Sequence, residues 1–211
     1  MDDLPLARLI DVMHETVHGH AAQLDALDEA IGDGDHGTNL ARGFAAVAAE
    51  RSRIAALPLG QALQEMGAII DRDVGGAGGT YYGLLFKAMG GAAPQAAPTP
   101  ADLSLMLQAG VEAIQAKGGA RKGEKTLLDV LIPVAQSVRS LVAAGNTGQL
   151  GGRIVAAAAH GLHQTTQMEA KHGLAADLGA ASINRLDAGA CSCALLFGAA
   201  VGALEPSQQA A

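Results

Sequence analysis

The sequence contains no tryptophan, and aromatic residues make up only 2% of it, two tyrosines and three phenylalanines in 211 residues. Hydrophobic residues nevertheless reach 49%, so a core has to be assembled from Ala, Leu, Ile, Val and Met. Strand-rich folds draw on aromatic and β-branched side chains, and Ala is a poor strand former, which argues against an all-β sandwich or barrel. Cysteine is nearly missing as well. Cys191 and Cys193 stand two apart in DAGACSC, too close for ordinary disulfide geometry and too few for a disulfide framework, so packed thiols in a reducing compartment are expected. No apolar run approaches the roughly 20 residues of a membrane span. The opening MDDLPLARL is acidic where a secretory leader is basic, and the chain reads as cytoplasmic with no membrane partner. Basic residues are the minority, 14 Lys and Arg against 21 Asp and Glu, for a formal net charge of -7. That balance excludes a nucleic-acid groove, which needs clustered cations. An acidic chain that binds phosphate calls for a metal cation.

At 211 residues the chain has the length of one ordinary domain, and 1–211 is expected to form a single unit. Apolar residues recur at helical spacing almost throughout. Leu6, Ile10, Met13 and Val17 form a stripe that Gly19 is expected to interrupt, and Leu24, Leu27 and Ile31 form a second that stops at GDGDHG. Helix resumes from Thr38 or Asn39 through Val47, then over LGQALQEMGAIIDRD and TYYGLLFKAM. GGAAPQAAPTP reads as a loop, and Thr99, Pro100 and Asp102 as a helix start that runs to the stop at Gly118 and Gly119. TLLDVLIPVAQSVRSLVAAG, with Pro133 as a possible kink, GGRIVAAAAHGLHQTTQMEAK and CALLFGAAVGAL complete about eight helices. The expected fold is all-α, an antiparallel bundle or barrel. Many of the 28 glycines concentrate in IGDGDHGTN, DVGGAGGT, KGGARKGEKT and LDAGACS. Glycines at helix ends leave backbone amides bare for an anion, so four such loops converging at one end would make a binding site.

The densest constellation is LDEAIGDGDHGTNLARGF, with Asp28 near a helix end and Asp33 and Asp35 alternating out of the turn. Two unit charges about 4 Å apart repel by roughly 4 kcal/mol at an effective dielectric near 20, so three converging carboxylates favour a divalent cation, and an all-oxygen set favours Mg²⁺. The alternative is a solvated Asp-Gly turn whose carboxylates never meet. An EF-hand is excluded, because counting from Asp33 puts Gly37 at the fifth position and Phe44 at the twelfth. A competing motif is HETVH, where His14 and His18 share a helical face and Glu15 could act as base of a zinc hydrolase. Its extended form fails at Ala21 and Leu24, and a plain polar helix face is the other reading. His160 and His163 form a similar pair without a third partner. GGARKGEKT is not a phosphate loop of the strand-to-helix kind, since Glu124 separates Gly123 from Lys125. Lys125 and Thr126 are kept as groups near a bound nucleotide.

Four segments, LDEAIGDGDHGTNLARGF, VGGAGGTYYGLLF, GEKTLLDVLIPV and LDAGACS, resemble in order and spacing the nucleotide-binding L subunit of bacterial dihydroxyacetone kinase. The resemblance implies a barrel of eight helices with the nucleotide at one end. It implies that Asp28, Asp33 and Asp35 hold two Mg²⁺ ions against the phosphates of ADP or ATP, with His36, Gly37, Thr38 and Asn39 beside them. By the same likeness Ala77 and Gly78 fall on the phosphate side, Gly118 and Leu127 on the adenine side, and Asp187, Ala188 and Gly189 on the last nucleotide loop. It implies phosphoryl transfer to a ketose on a partner K subunit. Some systems add an M subunit as phosphocarrier, and a homodimer is compatible with the likeness. A non-catalytic regulator that binds Mg-nucleotide is the alternative within this class.

Two departures matter. The family's G-A-S-G is Gly76, Ala77, Gly78 and Gly79 here, and its two arginines before the last loop are Leu174 and Ala181. Losing such an arginine costs about 10³ to 10⁵ in other phosphoryl-transfer enzymes. Arg185, two residues before Asp187, is the candidate that takes over as the catalytic cation.

Overall fold

The computed structural model describes residues 5–204. These residues hold eight long helices and one short one: α1 Pro5–Glu29, α2 His36–Ala49, α3 Arg51–Ala55, α4 Leu59–Val74, α5 Gly76–Gly91, α6 Pro100–Gly118, α7 Leu128–Ala143, α8 Leu150–Gln164 and α9 Ala188–Leu204. Short 3₁₀ turns at Thr147–Gln149 and Thr165–Gln167 flank α8, and a longer one, Leu174–Ser182, precedes α9. No strand occurs among the described residues.

Each long helix packs on its successor, α1 on α2, α2 on α4, and so on to α8 on α9, and α9 returns to α1. Short connections between successive neighbours make them antiparallel. The eight long helices therefore close into a ring, with α3 against α1 and α4. The spacing of apolar residues explains the closure. In α4, Ala62, Leu63, Met66, Ile69 and Ile70 are buried, one stripe over two turns facing the axis. In α7 the stripe is Leu128, Leu131, Val134, Ala135, Val138 and Leu141. With so few aromatics the ring does not fill its centre. An apolar cavity of about 570 Å³, lined by side chains including Met13, Phe86, Leu107 and Phe197, runs inside it.

Capping fixes the ends. The Thr99 side chain accepts from the Asp102 amide, and the Asp102 carboxylate accepts from the Thr99 amide, a reciprocal box that starts α6 as the sequence predicts. Gly119, at φ 68, ends it.

Some boundaries differ from the sequence reading. Gly19 does not interrupt α1, because an isolated glycine lowers helix stability by only about 1 kcal/mol, and burial of Val17 and Leu24 on either side outweighs it. Gly76, Gly78 and Gly79 lie in the first turn of α5 and AGACS after Asp187 begins α9, rather than forming loops, and α2 begins at His36. Pro133 lies inside α7 and removes the amide that would serve the Asp129 carbonyl. At that point Gly161 of α8 packs on the carbonyl so closely that a Cβ would sit 2.2 Å from the oxygen.

Candidate functional site

Antiparallel closure places the C-termini of α1, α4, α6 and α8 and the N-termini of α2, α5, α7 and α9 at one end of the ring. Four helix N-termini there give that mouth positive backbone potential.

The acidic loop between α1 and α2 is shaped by Asp28. Its carbonyl accepts from the Ile31 and Gly32 amides at 2.9 and 2.5 Å, which ends the helix. Its carboxylate accepts from the Gly34 and Asp35 amides at 2.9 and 3.1 Å. Gly34, at φ 78, supplies the left-handed residue this fold-back needs. As a result one carboxylate oxygen from each of Asp28, Asp33 and Asp35 lies within 4.8 Å of the others, Asp28 half-buried and the other two exposed. The solvated-turn alternative, in which the carboxylates stay apart, does not describe this loop.

At the start of α2, His36 turns inward. Its Nε2 lies 2.9 Å from the Ser192 hydroxyl of α9, and its Nδ1 edge faces Gly78 of α5, where a Cβ would stand 3.6 Å away. Burial pushes the imidazole below its ordinary value, against the opposing charges of Asp28, Asp25 and Asp35. Gly37 packs on α1 so tightly that a Cβ would meet the Ala21 carbonyl at 2.0 Å. Thr38 gives its amide and hydroxyl to Asp25 at 2.9 and 2.6 Å. Burial raises the Asp25 carboxyl, but these bonds hold it below the usual carboxylate range. The Asn39 amide donates to the Asp35 carbonyl at 2.9 Å.

Across the mouth, Asp187 caps α9 by accepting from the Ala190 amide at 2.6 Å, and its own amide donates to Thr165 Oγ1 at 3.3 Å. Burial drives its carboxyl up to about 7, opposed by the Ala190 amide and Lys125 and reinforced by Asp129 and Asp28. Leu127 is buried beside Gly189, and Gly118 abuts the Tyr81 hydroxyl. Ala77 lies in the first turn of α5. Lys125 is held inside the protein at this end of the ring. It is only 3% exposed, at φ 61, and donates to the carbonyl oxygens of Thr165, at 2.6 Å, and Arg185. Its charge is directed at these two carbonyls inside the protein. Arg185 itself is exposed.

Residues 30–202 match the DAK2 domain. The chain belongs to the DAK2 domain family. It is 35% identical over 190 residues to the PEP-dependent dihydroxyacetone kinase 1 ADP-binding subunit DhaL of Listeria innocua, covering 90% of this chain and 91% of that one. It is 33% identical to the corresponding DhaL subunit of Escherichia coli, covering 80% and 81% of the two chains. It also matches the dihydroxyacetone kinase of C. freundii, whose crystal structure was solved in complex with AMP-PNP and Mg²⁺, at a TM-score of 0.72 and 26% identity. That match covers 93% of this chain but 33% of the other, so the chain spans about a third of that enzyme's length.

Within this DAK2 domain the second of the two departures, Leu174 and Ala181, falls in the 3₁₀ stretch 174–182, where Leu174 is 57% exposed and Ala181 is also exposed. HETVH lies on α1, with the His14 and His18 rings tilted at 36° to each other and their centroids 6.0 Å apart. No third metal ligand joins them among the described residues. Tyr82, Asp129 and Ser192 escape the sequence reading although all three organise the mouth. Asp129 is buried and accepts from the Gly123 and Thr126 amides at 2.5 and 2.8 Å. Its one signal was its place four residues after Lys125.

Proposed function

We propose that this chain is the ADP- or ATP-holding subunit of a phosphotransferase that acts on dihydroxyacetone or a related short ketose, passing a phosphoryl group to a ketose held on a partner K subunit. A phosphocarrier M subunit recharges the bound nucleotide in a phosphoenolpyruvate-dependent system, which accords with the names of the Listeria and E. coli relatives.

The observation that carries this reading is the convergence of Asp28, Asp33 and Asp35 where four helices begin. The set fits magnesium: three carboxylates with no imidazole or thiolate among them make a hard, all-oxygen site. Bound there, Mg²⁺ supplies charge neutralisation for phosphate oxygens, and the reading includes two such ions. Asp28 is already oriented by two backbone amides, while the exposed Asp33 and Asp35 offer free oxygens. His36, Gly37, Thr38 and Asn39 form the first turn of α2 and border the nucleotide beside the acidic loop, with the Thr38 and Asn39 amides held by Asp25 and Asp35. Ala77 and Gly78 do the same for α5 with almost no side chain to obstruct an approach. Gly118 and Leu127 border the adenine, and Asp187, Ala188 and Gly189 close the site from α9. Arg185 is the guanidinium assigned to charge that develops on the transferring group.

Titration calorimetry tests the reading. The protein is expected to bind ADP only with Mg²⁺ or Mn²⁺, and Asp33→Asn to weaken that binding by at least about 10²-fold with the fold intact, as for loss of a metal ligand. Undiminished ADP binding in excess chelator would refute it.

A further inference from the structure

The Ser192 hydroxyl, fully buried in the second turn of α9, makes three contacts: 2.7 Å to the Tyr82 hydroxyl, 2.9 Å to His36 Nε2 and 3.0 Å to the Gly189 carbonyl. A serine hydroxyl has one proton and two lone pairs, so three contacts saturate it. A carbonyl only accepts. Ser192 therefore gives its proton to Gly189, which also lies 3.4 Å from the Tyr82 hydroxyl, a poorer distance. Tyr82 then donates to Ser192, at the shorter of its two contacts. The remaining lone pair of Ser192 requires a proton from His36, and Nε2 must carry it.

We infer that Ser192 is a positioning residue: with Tyr82 behind it, it fixes His36 as the Nε2–H tautomer and holds the bare Nδ1 edge of the ring toward the first turn of α5. The consequence for ligand binding rests on the nucleotide reading above. His36 directly follows Asp35, and its ring reaches to within 3.6 Å of where a Cβ of Gly78 would stand. A ring locked from behind adds an oriented acceptor to the mouth without an ordering penalty on binding. Tyr82 and Ser192 are buried, so water cannot replace either partner, and the order of protons in the chain is set by the core.

Nitrogen-15 NMR of the histidine rings in the ligand-free protein, with His36 identified by its loss in His36→Gln, is the deciding measurement. In the wild type, Nε2 is expected to show the protonated and Nδ1 the unprotonated shift. In Ser192→Ala the two shifts move toward each other as the tautomers mix, while helix content stays near wild type, and Mg-ADP affinity falls about tenfold. Tyr82→Phe moves both readouts the same way by less. A wild-type His36 protonated on Nδ1, or a Ser192→Ala spectrum identical to wild type, overturns the inference. A simple packing role for Ser192 would lower the melting temperature and leave the His36 shifts unchanged. If the wild type binds no Mg-ADP, it is the nucleotide reading that fails, and the spectrum of the ligand-free protein still decides the role of Ser192.

Discussion

The ammonium of Lys125 donates to the carbonyl oxygen of Arg185, tying the turn before α7 to the strand of backbone that leads into α9. The same Nζ holds the Thr165 carbonyl at the end of α8 at 2.6 Å. Three elements thus meet on one buried cation. Lys125→Met keeps the length of the side chain but leaves both carbonyls without a donor. It is expected to destabilise the protein by roughly 2–4 kcal/mol in urea unfolding, since each bond to a charged donor contributes about 1.5–3 kcal/mol and a buried acceptor without a partner costs more than a solvated one. Stability within 0.5 kcal/mol of wild type would show that the staple carries no weight.

Arg185 has its backbone fixed by that contact and its side chain exposed. With leucine and alanine at the two usual arginine positions, it is the cation two residues from Asp187. Arg185→Ala is expected to slow single-turnover phosphoryl transfer to a ketose, measured with the ketose-binding partner, by at least about 10²-fold while ADP affinity changes little, the pattern of a group used mainly in the transition state. Transfer at the wild-type rate would remove Arg185 from the chemistry.

The Asp187 carboxyl, raised to about 7 by burial, makes stability depend on pH. An unfolded aspartate titrates near 3.9, so between about pH 4 and 7 the folded state holds a proton that the unfolded state has released. The contribution of this group is full below pH 4 and is lost as pH rises to 7. Asp187→Asn imitates the protonated form and can still accept from the Ala190 amide. In the metal-free protein the variant and wild type should have equal stability near pH 4, and the variant should be more stable by roughly 1–3 kcal/mol at pH 8, discounted because the residue retains contact with water. A difference that does not grow with pH would count against this assignment.

Two glycines of one helix should respond oppositely to alanine. At Gly161 the new Cβ would lie 2.2 Å from the Asp129 carbonyl, and backbone cannot yield as a side-chain end does. At Gly152 nothing stands within 4 Å. Gly161→Ala should destabilise by about 3 kcal/mol or more through separation of α7 and α8. Gly152→Ala should stabilise by about 0.5 kcal/mol through the lower entropy of its unfolded chain. Equal effects in urea unfolding would contradict the close packing of the two helices.

The acidic loop and most of the helices could be read directly from residue order, because helical periodicity, capping residues and the spacing of Asp28, Asp33 and Asp35 are local properties. Thr99 and Asp102 illustrate this: three positions apart, they form their box wherever the helix sits. A low aromatic content and abundant alanine and glycine likewise determined closely packed helices. What the tertiary structure decided were relationships between residues far apart in the chain. The sequence alone marked Lys125 only as a group near a bound nucleotide; closure of the ring brought the carbonyls of Thr165 and Arg185 around it and turned its charge inward. Ser192 and Tyr82 looked like any core positions until α5 and α9 came together beside His36. Gly19 looked like a break because local propensity was all there was to weigh, and burial on both sides of it overrode that propensity. Local spacing fixes which groups one segment can offer. Only packing, through burial and the partners it brings within hydrogen-bond distance, fixes which of them remain free to meet a ligand.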